Sequence, residues 1–168
     1  MRTVTRTTTG SATPQRHEHR NGARPDTDGT ATPEESGSRV LGIPAADPET
    51  ALDHFLRARL ACETDPYDVR HDLDAGIGGF VLADARTAAA HAEECLPGAL
   101  SLPHAELTDA ALAALDPAPV YVTYGWGPAC NAGSRAAARL AAAGFRVKEM
   151  IGGLEYWKRQ NHPTTTRR

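Results

Sequence analysis

Val120-Tyr-Val-Thr-Tyr-Gly-Trp-Gly-Pro-Ala-Cys-Asn-Ala-Gly-Ser-Arg135 runs from β-branched and aromatic residues into a glycine-studded loop, then into an alanine-rich stretch. Residues 119–124 predict a strand, because Val and Tyr suit a pleated surface. Residues 134–143 predict a helix, closed by Gly144 as a left-handed cap. Cys130 lies in the loop between them. Such a loop turns backbone N–H groups and the positive end of a helix toward one sulfur. That is an arrangement for a reactive thiolate or a held anion.

The flanking segments alternate in the same way. Phe80-Val-Leu-Ala and Ala99-Leu-Ser-Leu read as short strands, and residues 146–151 as another. Helices are predicted over 87–94, over 108–115 with Thr108 as cap, and over 154–160. Further upstream, Asp47-Pro-Glu starts a helix whose residues Leu52, Phe55, Leu56 and Leu60 give one apolar face through about Ala61. A short helix capped by Asp65 follows and ends at the Gly76-Ile-Gly-Gly79 breaker. Strands alternating with helices imply an α/β fold, a parallel central sheet with helices on both faces. Ligands of such sheets bind beyond the carboxyl ends of the strands, which is where the 125–134 loop falls.

With 168 residues, the chain is long enough for one domain with its own core. Residues 1–40 are rich in Thr, Ser, Gly, Pro, Arg and acidic residues and nearly lack large apolar side chains. This segment is expected to be a disordered arm, since it buries too little surface to offset its ordering entropy. It has no apolar segment of the secretory type, and Asp26, Asp28, Glu34 and Glu35 argue against a transit peptide. Residues 41–75 read as a helical extension, 76–162 as the main domain and 163–168 as a tail.

No stretch is long and apolar enough to predict a membrane span. A net charge of -3 with mixed signs gives no footprint for nucleic acid. Cys62, Cys95 and Cys130 are odd in number and lack metal-type spacing. Neither a disulfide framework nor a metal site is expected, no cofactor is implied, and a reducing cytoplasm is the expected compartment. The histidines are scattered, with His17 and His19 in the arm.

Four blocks carry a resemblance. They are Phe80-Val-Leu-Ala-Asp-Ala-Arg86, Leu96-Pro-Gly-Ala-Leu-Ser-Leu-Pro-His104, the strand and loop from Val120, and Gly144-Phe-Arg-Val-Lys-Glu-Met-Ile-Gly-Gly-Leu-Glu-Tyr-Trp157. In this order they resemble the rhodanese family of single-domain sulfurtransferases. The resemblance implies a rhodanese-like fold and transfer of sulfane sulfur through a cysteine persulfide. The donor would be thiosulfate or a persulfide, and the acceptor a thiol or cyanide; a protein donor or acceptor is also open.

Two positions depart from the family pattern. Cys95 stands where a His usually precedes the Pro-Gly-Ala turn, and Gly125 stands where the persulfide-forming cysteine usually follows the strand. The loop resembles a branch pattern Tyr-Cys-Trp-Gly-Pro-Gly-Cys-Asn, of which only the second cysteine, Cys130, is kept.

Two readings follow for Cys130: the nucleophile, or a packing thiol in a module that binds a small anion or a partner protein without turnover. On the first, the backbone of Trp126, Gly127, Asn131, Ala132, Gly133 and Ser134 forms the cradle, and Arg135 binds the donor anion. Arg135 lying solvated is the competing expectation, and Arg139 is expected at the surface. Trp126 is either a wall of the site or a loop anchor. Asp84 and Arg86 read as a structural pair, Gly152 and Gly153 as a tight turn near the site, Trp157 as core, and His104 as a pocket border or packing residue. A Cys-x5-Arg phosphatase does not fit, since only four residues separate Cys130 from Arg135.

Overall fold

In the computed structural model, residues 40–167 are described. The expected disordered arm therefore lies, but for Val40, outside the described residues. Residues 40–42 form a turn, and a compact unit begins at Ala46.

The helical extension opens with α1 (Pro48–Leu52), whose cap Asp47 accepts from the Glu49 and Thr50 amides. It continues as a wider π-helical stretch, Asp53–Leu60, rather than the regular helix the spacing suggested. Its apolar residues Leu52, Phe55, Leu56 and Leu60 stay exposed. Next come β1 (Glu63–Thr64), α2 (Pro66–Asp74), β2 (Phe80–Asp84), α3 (Ala88–Glu93), β3 (Leu100–Ser101) and α4 (Asp109–Ala113). The chain closes with β4 (Val120–Tyr124), α5 (Ala132–Ala142), β5 (Val147–Met150) and α6 (Gly153–Arg159).

The five strands form one parallel sheet in the order β1-β5-β4-β2-β3. β1 is an addition to the four strands expected; two residues long and without an apolar run, it is made by pairing with β5 rather than by its own sequence. β4 lies at the centre, and alternation along it divides the core. Val122 and Tyr124 face a cluster with Val69, Leu96, Met150, Leu154 and Trp157. Tyr121 faces the other cluster, with Leu107, Leu112, Ala132, Ala136 and Leu140. Helices α2 and α6 thus cover one face, and α4 and α5 the other. Burial on both faces is why β2 and β4 read as near-continuous apolar runs.

The last residues fold back. Thr165 and Cys95 exchange two backbone hydrogen bonds of 2.9 Å, and Trp157 Nε1 donates to Pro163 O at 2.8 Å. Trp157 is fully buried, as befits a core residue. Among the described residues no helix is long and apolar enough to cross a membrane.

Candidate active site around Cys130

The loop leaves β4 at Gly125, which is buried, and returns to helix at Ala132. The spacing had suggested a helix start at Ser134. It comes two residues earlier because Ala132 and Gly133 pack against the sheet, where Thr123 Oγ1 donates to Gly133 O at 3.0 Å. Cys130 is therefore one residue ahead of the helix cap, closer to the positive end than the sequence indicated. Its amide donates to Gly127 O at 2.9 Å and closes a tight turn.

The Cys130 sulfur turns toward the strand end. A Cβ built on Gly125 would stand 3.1 Å from Cys130 Sγ and 3.4 Å from the Gly133 amide nitrogen. Sulfur and first helical turn therefore share the space in front of Gly125. Asn131 makes no side-chain cap, so the Ala132, Gly133 and Ser134 amides of the first turn have no intrahelical acceptor. The amides of Trp126, Gly127, Ala129 and Asn131 also take no protein acceptor among the described residues. These free donors lie in the same loop and helix start as the half-buried Cys130 thiol.

Two glycines with positive φ hold the loop from below, Gly152 at +80° and Gly153 at +55°. At Gly153 a Cβ would meet Gly125 O at 2.5 Å and the Gly127 nitrogen at 3.0 Å, so only glycine lets the chains pass. The next amides bind the loop: Leu154 N–H donates to Gly125 O at 3.0 Å and Glu155 N–H to Trp126 O at 2.8 Å.

Behind the loop lies a buried polar network. Arg86 Nε and Nη2 donate to the two oxygens of Asp84 at 2.9 and 2.6 Å, with both side chains fully inaccessible. Tyr124 Oη donates to Asp84 Oδ2 at 2.7 Å and accepts from the Leu96 amide at 3.2 Å. His91 Nδ1 is 3.2 Å from the same carboxylate oxygen. Burial works against the Arg86 charge, yet the bonded and charged Asp84 outweighs it and holds the guanidinium pKa above its ordinary value. Burial, followed by the Asp84 charge, pushes the Tyr124 hydroxyl well up. The Arg86 guanidinium stacks 4.3 Å from the centre of the half-exposed Trp126 ring. This contact ties the loop to the network.

Three further residues lie as follows. Arg135 is exposed and makes no ion pair among the described residues. Arg139 binds Leu107 O and Asp109 at the surface. His104 is half-buried, its amide bonded to Ala85 O at 3.2 Å.

Two carboxylates that the sequence reading passed over border the loop. Ser134 Oγ donates to Glu149 Oε2 at 2.8 Å, and Glu149 Oε1 is 2.7 Å from where a Cβ on Gly133 would stand. Glu155 Oε2 is 2.4 Å from the corresponding position on Gly127. Glu149 follows from register, since it pairs with Thr123, two residues before Gly125, and shares its face. A cleft of about 520 Å³ adjoins the loop, lined by Trp126, Leu154, Glu155, Glu94, Lys158 and Arg159. Among the described residues no group of His, Cys, Asp and Glu is placed to hold a metal ion.

Comparison with known proteins bears on the whole arrangement. A rhodanese-like domain model matches residues 68–160. The crystal structure of a protein from Bacillus halodurans is 39% identical, with a TM-score of 0.68 over 71% of this chain and 87% of that one. One from Lactobacillus plantarum is 31% identical, with a TM-score of 0.60 over 69% of this chain and 98% of that one. A thiosulfate sulfurtransferase from Pseudomonas aeruginosa is 27% identical, with a TM-score of 0.53 over 66% of this chain but 20% of its own length. No relative was found among curated proteins. The parallel sheet, the loop at the tip of its central strand and the matched span place the chain in the rhodanese-like family.

Proposed function

We propose that the protein is a sulfurtransferase that carries sulfane sulfur on Cys130, taking it from thiosulfate or a persulfide and passing it to a thiol or cyanide. The reading rests on one observation above all. The Cys130 sulfur and the uncapped first turn of α5 meet in the space in front of Gly125. A helix N-terminus and unpaired loop amides favour a thiolate and the negative charge of a bound persulfide.

With thiosulfate, the Cys130 thiolate attacks the sulfane sulfur, the S–S bond breaks, and sulfite leaves with the electron pair. Cyanide then attacks the outer sulfur of the Cys130 persulfide, thiocyanate departs, and the thiolate returns. The amides of Trp126, Gly127, Ala129, Asn131, Ala132, Gly133 and Ser134 cradle the outer sulfur, and the exposed Arg135, in the first turn of α5, binds an anionic donor. A reducing cytoplasm suits a chain whose three cysteines are all free, and a protein is an admissible donor or acceptor.

A second reading draws on Gly125. If the chemistry requires a thiol at that position, the domain binds a small anion or a partner protein without turnover. Thiocyanate formation from thiosulfate or a persulfide plus cyanide separates the two. Turnover by the parent, abolished in Cys130→Ser, supports the enzyme; a folded parent inert to every donor supports the binding module.

A further inference from the structure

Of the two carboxylates that border the loop, Glu149 makes no ion pair among the described residues. It accepts from the Ser134 hydroxyl, at the first turn of α5. Glu155, on the other side of the loop, pairs with Arg159 at 2.6 Å, and Lys158 pairs with Glu94 at 2.7 Å. Arg86 is committed to Asp84 inside the protein. Among the described residues Arg86, Lys158 and Arg159 are thus taken up by carboxylates, and Arg135 stands in solvent where its charge is screened. Glu149 instead lies against Gly133, whose amide nitrogen and Cys130 Sγ both face the Cβ position of Gly125. The anion-favouring end of α5 already holds a carboxylate of the chain itself.

Resting on the sulfurtransferase reading, we propose that Glu149 sets donor specificity: the site favours persulfides of low net charge over the thiosulfate dianion. In the favoured step the Cys130 thiolate attacks the outer sulfur of R–S–SH. The S–S bond breaks, R–S⁻ leaves with the electron pair and takes up a proton, and Cys130 is left as Sγ–SH. No oxidant or reductant is consumed. A dianionic donor makes the same approach against the Glu149 charge, whereas a donor whose head is an ammonium does not.

The test is single-turnover loading of sulfur onto the full chain, followed by intact mass, with thiosulfate and with cysteamine persulfide as probes. The parent loads faster from cysteamine persulfide. Added salt raises its thiosulfate rate, as expected for a screened repulsion. Glu149→Gln shifts the ratio of thiosulfate to persulfide rates toward thiosulfate by about tenfold, the scale of one screened charge interaction. The salt series needs no variant and stands even if Glu149→Gln folds poorly. Preferred loading from thiosulfate, or a folded Glu149→Gln with an unchanged ratio, overturns the specificity proposal while leaving the sulfurtransferase reading intact. No loading from either donor overturns both.

Discussion

The sulfur of Cys130 lies where the side chain of residue 125 would point, 3.1 Å from a Cβ placed on Gly125. In a disulfide, a bond of about 2.04 Å puts each Cβ about 3.0 Å from the partner sulfur. Gly125→Cys is therefore set to form a disulfide with Cys130. Denatured, the parent titrates as three free thiols, and the air-oxidised variant, with four cysteines, titrates as two. Reduction restores all four, and the reduced variant turns over at least as fast as the parent. Four titratable thiols after oxidation contradict the placement of the loop.

Asp84 holds a guanidinium that has no route to solvent. Asp84→Asn keeps the shape and removes the charge, leaving Arg86 buried without a counter-ion. A loss of about 3–5 kcal/mol in urea unfolding is expected. Because Arg86 stacks on Trp126, the tryptophan emission of the folded variant also shifts. A loss below about 1 kcal/mol contradicts the role given to this pair.

Tyr124 gives a pH signature. Burial, followed by the Asp84 charge, raises its pKa above the ordinary 10.0. Below pH 10 both folded and unfolded chains hold the proton, and the stabilisation is complete. Above it the unfolded chain loses the proton first, so stability falls as pH rises toward the folded-state value. Tyr124→Phe costs about 1–3 kcal/mol at neutral pH through the lost hydrogen bonds, and makes the alkaline fall shallower. Some slope persists, since burial raises Tyr121 in the same direction. Urea unfolding from pH 8 to 11 reads both effects, and an unchanged alkaline slope rules out the buried phenol as its source.

Gly153 combines a φ of +55° with a Cβ position 2.5 Å from Gly125 O. Gly153→Ala must move the loop or the start of α6, at a cost of about 1–3 kcal/mol or more. Sulfur loading falls in the same variant, because the displaced backbone carries the amides of Gly125 and Gly127. Unchanged melting temperature and loading show that the contact is not required.

The fold was legible because β2 and β4 are largely buried elements whose apolar runs and glycine boundaries announce them in one dimension. Asp47, Asp65, Thr87 and Thr108 mark helix starts by side-chain caps. β1 was not legible, since its two residues become a strand through the edge of β5. The loop was legible as a site, but its surroundings were not. Glu149 is fifteen residues from Ser134, and register across the sheet brings them together. Arg135 was legible as a residue of the first helical turn beside Cys130, and it is exposed there.

The central claim is that Cys130 carries the transferred sulfur. Intact mass after exposure to cysteamine persulfide, then brief treatment with cyanide, measures it most directly. The account predicts one added sulfur on the parent, removed by cyanide, absent in Cys130→Ser and retained in a variant with the exposed Cys62 replaced by Ser. Sulfur that persists in Cys130→Ser, or disappears only with Cys62, contradicts it.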